Sequence, residues 1–225
     1  MELSSFTMQS LKNFASINPN LVIRGGNTIM TMSEAKNVLA MATVAEDFPQ
    51  EFGIYDLNEF LSVVNLFDTS NLKFEDSHLI VSDASGRSKI KYFYSDIEML
   101  TSPTKPIAMP DAEVTFVLDQ GTLNNLKRAA SALGHNEVSI TGANNVITLT
   151  VVDSENSTSN SYSIDVDGEY ISDNFNFILN INNLRMIPGD YKVEISSKLI
   201  SQFTNMSDDQ KLTYWVALEK TSTYK

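Results

Sequence analysis
The sequence predicts an α+β protein built from two similar domains, each an antiparallel sheet that carries two helices. Three observations predict it: an internal repeat, a proline-rich break near the middle, and strand signals on both sides of that break. Residues 3–15, LSSFTMQSLKNFA, align with residues 118–130, LDQGTLNNLKRAA, and the alignment sets Leu11-Lys12 on Leu126-Lys127. Residues 54–60, IYDLNEF, align in the same order with residues 178–184, ILNINNL. Between the two copies the stretch 101–113, TSPTKPIAMPDAE, contains three prolines, which obstruct both helix and sheet ladder. It reads as an extended connector between a domain over 1–100 and a domain over 114–225. A chain of 225 residues suits two domains of ordinary size, each able to bury a core.

The helices follow from apolar spacing at about 100° per residue. In the first, Leu3, Phe6, Leu11, Phe14 and Ile17 share one arc, and Ser5, Gln9, Lys12 and Ser16 occupy the other. A second helix over 56–67 buries Leu57, Phe60, Leu61, Val64 and Phe67, leaving Asn58, Glu59, Ser62 and Asn65 outside. The third, 119–133, has Asp119 as N-cap and Gly134 as its stop. Its buried stripe is Leu123, Leu126, Ala130 and Leu133; Asn124, Arg128 and Ser131 lie opposite, with Lys127 on the flank. A fourth, over 180–187, ends at Pro188-Gly189 and sets Asn182 and Arg185 away from Ile181, Leu184 and Ile187. Strands are predicted at 80–81, 89–94, 138–140, 146–152, 162–166, 191–195 and 212–218, where β-branched and aromatic residues alternate with polar ones. Turn clusters such as Gly25-Gly26-Asn27 and Gly142-Ala143-Asn144-Asn145 separate strands.

Composition narrows the function. The chain is 42% hydrophobic and 20% charged, with a net charge of −12 shared by both halves: residues 1–110 hold 8 basic and 13 acidic residues, residues 111–225 hold 8 and 15. Such a surface does not coat nucleic acid as a whole, because phosphate binding needs clustered Lys and Arg. No apolar run is long enough to span a bilayer. The N-terminus, MELSSFTMQS, lacks the basic region of a signal peptide, and the absence of cysteine suits a reducing compartment, so a cytoplasmic protein is expected.

Catalytic chemistry finds no support. His78 lies beside a strand, and His135 follows the Gly134 stop, where an imidazole serves terminal carbonyls. No phosphate loop, nucleophile elbow, dinucleotide fingerprint or zinc-ligand spacing occurs, so no catalytic residue, metal or cofactor is expected. The acidic pairs Asp165/Asp167 and Asp208/Asp209 read as solvated turns, residues 153–160 (DSENSTSN) as a polar loop, and Trp215 as a core side chain. What remains are basic residues on helix faces that are otherwise uncharged. A single lysine there is ordinary solvated surface, but Lys12 and Lys127 occupy equivalent places in the repeat, with Arg128 and Arg185 on neighbouring faces. A basic position duplicated inside an acidic protein points to a surface repeated about an axis, a ring rather than a cleft. In the connector, Ile107, Ala108, Met109 and Pro110 either pack on a sheet or border a groove for a partner's peptide.

The segments LKNFASINPN, FGIYDLNEFLSVVNLF, TKPIAMP, NFNFILNINNLRMIPGDYKV and YWVALE together resemble the sliding clamps of T-even-type bacteriophages, the processivity factors of their replicative DNA polymerase. The similarity runs end to end. It implies the DNA clamp fold assembled as a pseudo-sixfold homotrimeric ring, with helices lining a hole for duplex DNA bound independently of sequence and with no enzymatic activity. It also implies the phage DNA polymerase, an ATP-driven clamp loader and the late-transcription factors as partners, no membrane attachment, and a place in the cytoplasm of the infected bacterial host. On this sequence the hole-facing role falls on Lys12, Lys127, Arg128, Arg185, Asn124 and Asn182, and the partner-peptide site on Ile107, Met109 and Pro110. The helix from Asp56 brings no basic residue to the hole. Two other classes compete: a β-rich structural protein of a virion, and an enzyme whose acidic residues converge on a metal.

Overall fold
The two copies of the repeat open with the same local device. In the computed structural model, which describes residues 1–104, 107–156, 158–172 and 174–225, helix α1 (Ser5–Ile17) starts after the N-cap Ser4 and helix α3 (Gln120–Leu133) after the N-cap Asp119. These caps are aligned residues of the repeat, and each accepts a bond from the backbone N–H of an aligned threonine, Thr7 or Thr122. The chain divides into two compact units, Met1–Pro106 with Gln210–Leu212, and Ile107–Asp209 with Thr213–Lys225.

In the first unit α1 is followed by β1 (Leu21–Ile23), β2 (Gly26–Met32), β3 (Val38–Phe48), β4 (Phe52–Ile54), helix α2 (Leu57–Val64), β5 (Asn71–Phe74), β6 (His78–Ser82), β7 (Lys89–Phe93) and a 3-10 turn at Ile97–Met99. All pairings are antiparallel: β1 with β4, β2 with β3, and a three-stranded sheet in the order β5-β6-β7. Leu11 and Phe14 of α1, Ile29, Phe52, and Leu57 and Phe60 of α2 are almost wholly buried. The helices therefore lie with their apolar stripes on this core and their polar faces outward. Burying one such side chain contributes about 1.5–3 kcal/mol. Helix α2 is shorter than expected. The Asn65 side chain donates to the Leu61 carbonyl at 2.7 Å and closes it at Val64, leaving Phe67 half-buried beyond its end.

The second unit comprises β8 (Val114–Leu118), α3, β9 (Glu137–Ala143), β10 (Val146–Val152), β11 (Tyr162–Val166), β12 (Gly168–Tyr170), β13 (Phe175–Asn180), a 3-10 turn at Ile181–Asn183, β14 (Tyr191–Ser196), β15 (Ile200–Asn205), β16 (Lys211–Ala217) and β17 (Thr223–Tyr224). One sheet has the order β11-β10-β9-β13-β17; another runs β12-β8-β14-β15-β16. Trp215 is buried, as its place in a strand predicts.

The expected fourth helix is absent; a single 3-10 turn stands in its place. Its start matches that of α2, since Asn180 and Asp56 are aligned caps whose side chains accept the N–H two residues on. Three forces stop it there. Asn182 and Asn183 are weak helix formers, and Pro188 disfavours helical backbone at Ile187. The Ile187 N–H, which a helix would spend on Asn183, goes instead to the Tyr214 hydroxyl at 3.1 Å, and the Tyr191 hydroxyl donates to the Ile187 carbonyl at 2.6 Å. The expected burial survives: Ile181, Leu184 and Ile187 are buried while Asn182 and Arg185 are exposed.

Candidate nucleic-acid interface
Lys12, Lys127 and Arg128 are positioned by helices whose first turns are fixed from the sheet side as well as by their own caps, whereas Arg185 follows the 3-10 turn. In the first unit the Glu46 carboxylate, buried on β3, accepts the Ser4 N–H and the Thr7 hydroxyl. Burial pushes this carboxyl up, but the bonds from Thr7 and Ser4 outweigh it and hold the group below the ordinary glutamate value. In the second unit Asp119 accepts the Thr122 hydroxyl at 2.6 Å and its N–H at 2.9 Å, bonds that hold the aspartate low. Asp190, just before β14, accepts the Gln120 N–H at 2.9 Å. Negative charge at a helix start also complements the helix dipole. Gly134 closes α3 in the left-handed region, φ 72°, which a glycine adopts without strain.

Lys12 stands on the exposed face of α1. Asn124 and Arg128 are exposed on α3, and the Arg128 guanidinium donates to the Asn125 side-chain oxygen. Lys127 is half-buried, and this burial lowers its ammonium pKa. Across from it the Arg185 Nε donates to the Asn182 carbonyl at 3.0 Å, and Asn182 Nδ2 to the Asn136 side-chain oxygen at 3.1 Å. Lys127, Asn182 and Arg185 share one concavity of about 470 Å³ with Ser131, His135 and Asn136, floored by Ala130, Ile181 and Leu184. Thus three of the six residues expected to face DNA meet in one place; Asn124 and Arg128 stand on the same helix outside the lining, and Lys12 belongs to the other unit.

His135 and Asn136 are members of that concavity that sequence reasoning passed over. The imidazole does not serve the end of α3, as its position suggests; the His135 backbone N–H bonds the Ala130 carbonyl at 3.0 Å, and the ring Nε2 meets the Asn160 carbonyl at 2.8 Å. A contact 25 residues away leaves no local signal. His78, in contrast, packs its ring 5.5 Å from that of Phe93.

In the connector, Ile107 is exposed while Met109 and Pro110 are half-buried; Lys105 and Pro106 lie outside the described residues, as does Ser157 of the 153–160 loop. Glu113 fastens the end of this stretch to the β14–β15 hairpin, accepting the Ser197 N–H at 2.7 Å and its hydroxyl at 2.6 Å. Among the described residues there is no cluster of three or more His, Asp or Glu side chains able to hold a metal, and no helix long and apolar enough to cross a membrane.

Comparison with known proteins decides between the classes. Residues 4–98 match the family "DNA polymerase processivity factor", and residues 115–220 match "gp45 sliding clamp, C terminal". The chain is 32% identical to the sliding clamp of Vibrio phage KVP40, with 97% of this chain and 99% of that protein covered. The chain belongs to the sliding-clamp family. It is also 31% identical to the sliding clamp of Escherichia phage RB69 and 32% identical to that of Enterobacteria phage T4, with 100% of this chain and 99% of each relative covered. The fold extends to distant clamps: proliferating cellular nuclear antigen from Entamoeba histolytica superimposes with a TM-score of 0.70 at 14% identity, covering 97% of both chains. The H. pylori beta clamp superimposes with a TM-score of 0.72 at 12% identity, over 97% of this chain and 65% of that one. The protein is a clamp of the phage replication type, a processivity factor for DNA polymerase, and the reading as a virion structural protein has no support.

Proposed function
We propose that this clamp works as a closed homotrimeric ring that encircles duplex DNA without regard to sequence and without catalytic activity. Its domains span 1–100 and 114–225, joined by the connector 101–113. The observation that carries the reading is the duplicated cation: Lys12 and Lys127 each stand at the same distance from an aligned N-cap, on helices that contain no acidic residue, in a chain of net charge −12. Few mobile cations give weak phosphate attraction, so retention comes from topology, while the acidic remainder repels DNA elsewhere. In this reading Lys12, Lys127, Arg128, Arg185, Asn124 and Asn182 face the duplex.

Two open sheet edges support head-to-tail closure. The β7 edge presents Lys89 and Lys91, and the β11 edge presents Asp165 with Asp167 following, all exposed. Pairing between copies satisfies both backbone edges and sets opposite charges together. In the infected bacterium's cytoplasm the ring serves the phage DNA polymerase, is opened by an ATP-driven loader, and supports late transcription factors. Ile107, Met109 and Pro110 receive a partner's terminal peptide.

The deciding experiment compares templates. A clamp loaded on a nicked circle stays bound and leaves once that DNA is linearised; equal lifetimes on circle and line eliminate the ring. For the partner site, Ile107→Ser with Met109→Ser weakens polymerase-peptide binding by about 2 kcal/mol or more in calorimetry, as loss of an apolar anchor does. Unaltered affinity in a folded variant moves that site elsewhere.

A further inference from the structure
The connector is tied to the first unit at its start, and the ties converge on one buried side chain. Asn18 closes α1, its backbone N–H reaching the Phe14 carbonyl at 2.9 Å, and the residue is wholly buried. The two hydrogens of its Nδ2 go to two carbonyls, Met32 at the end of β2 at 2.7 Å and Thr101 at 3.3 Å, while its Oδ1 accepts the Asn20 N–H at 3.0 Å. A carboxamide alone supplies both kinds of bond here, since a carboxylate has no hydrogen for either carbonyl. Asn20 completes the tie. Its Oδ1 accepts the Thr101 N–H at 3.2 Å, so Thr101 is held by both of its backbone groups. Arg24 adds a third hold: Nη2 donates to the Pro103 carbonyl at 3.3 Å, and Nη1 pairs with the Glu51 carboxylate, which fixes the direction of the guanidinium. Asn18, Asn20, Arg24, Glu51, Thr101 and Pro103 all belong to the first unit.

Beyond Pro103 the chain is held differently. Among the described residues, 107–112 make no hydrogen bond, and Ile107 and Ala108 are exposed. Bonding resumes in the second unit at Glu113, whose N–H meets the Ile195 carbonyl at 2.9 Å and whose carboxylate holds Ser197. A stretch without bonds of its own takes its order from its ends, and any freedom left in it has to be removed when a partner binds. We infer that Asn18, Asn20 and Arg24 are positioning residues for partner binding: they set the course of the connector from its first-unit end, and so the place at which Ile107, Met109 and Pro110 meet a partner's peptide. The inference rests on the proposed peptide site and adds to it three residues that touch no peptide themselves. Because Asn18 also closes α1, the helix proposed to face DNA and the segment proposed to face the polymerase depart from one hydrogen-bonded node.

Asn20 gives the cleanest test, because aspartate keeps the accepting oxygen and alanine loses it. Binding of a peptide from the end of the phage DNA polymerase is measured by calorimetry on the full chain, with exchange of the Thr101 amide hydrogen followed by NMR and urea unfolding as the control for the fold. Asn20→Ala speeds Thr101 exchange, and Asn20→Ala and Arg24→Ala each weaken the peptide about threefold to tenfold, the scale of ordering one loosened side chain. Asn20→Asp returns both exchange and affinity to the wild-type values. A role in folding alone lowers the urea midpoint and leaves the affinity of the folded protein unaltered. Wild-type affinity in both alanine variants, while Ile107→Ser with Met109→Ser weakens binding, leaves the peptide site standing and overturns the inference. So does an Asn20→Asp variant that binds as poorly as Asn20→Ala, since the accepted hydrogen bond is then not the cause. Wild-type affinity in every variant, the serine pair included, refutes the peptide site itself and the inference with it.

Discussion

Helices α1 and α3 are the same device at two depths. Both begin at an aligned cap with an aligned threonine and carry a lysine eight positions on, yet Lys12 stands free in solvent while Lys127 is half-buried beside Arg185. The difference arises next door. In the first unit the aligned follow-on segment is the full helix α2, whose outer face offers Asn58, Glu59 and Ser62. In the second it is the 3-10 turn Ile181–Asn183, which leaves a hollow that Arg185 borders. Duplication therefore preserves the frame that sets a cation on a helix, while the short 3-10 turn beside the second copy leaves its lysine lining a concavity rather than standing clear in solvent.

The largest expected effect tests the shared frame. Leu11 and Leu126 are aligned and buried to 0% and 1% exposure, so Leu11→Ala and Leu126→Ala each cost about 2–5 kcal/mol in urea unfolding. A cost under about 1 kcal/mol at either position breaks the equivalence of the two helices. A smaller effect separates their caps. Glu46 is buried and its folded pKa is lowered, so its contribution is present above the ordinary value of 4.5 and disappears as pH falls through the folded one. Glu46→Gln removes about 1–3 kcal/mol at neutral pH and flattens the acid limb of the stability curve, whereas Asp190→Asn, at an exposed cap, costs less. Identical acid limbs for wild type and Glu46→Gln contradict this role. The smallest stability effect accompanies a functional one. Lys12→Glu changes unfolding free energy by no more than about 0.5 kcal/mol, but both Lys12→Glu and Lys127→Glu reduce polymerase processivity, Lys127→Glu more, and most at low salt. Lys220→Glu, exposed near the C-terminus, is the control; an equal loss there attributes the effect to net charge.

The parts of the fold legible in the sequence are those governed by neighbours along the chain. β10 and β11 coincide with their predicted spans residue for residue because alternation over five to seven positions is a local signal. β2 and β3 escaped notice: Gly26–Met32 relies on Met and Thr, and β3 reads as a nearly unbroken apolar run with Glu46 inside it, neither of which alternates cleanly. β8, directly after the connector, went unread as well. The fourth helix was overread for a specific reason. Apolar residues at 181, 184 and 187 recur every three positions, which suits a 3-10 turn as well as a helix, and the deciding bonds come from the distant Tyr191 and Tyr214. The same division holds at the concavity. Lys127 follows from repeat and helical phase and Arg185 from its place opposite the apolar 181, 184 and 187, while His135 and Asn136 join through partners far along the chain.

The Glu46 and Asp190 bonds have a consequence for how such a chain changes over generations. Because the start of each helix is held from beneath, by a carboxylate belonging to another element, the outward positions are released from any duty in folding. Residues such as Gln9, Lys12, Asn124 and Arg128 can be exchanged one at a time while the helix keeps its place. The outward face is thereby free to change its chemistry, and the architecture beneath it does not have to be reinvented with each exchange.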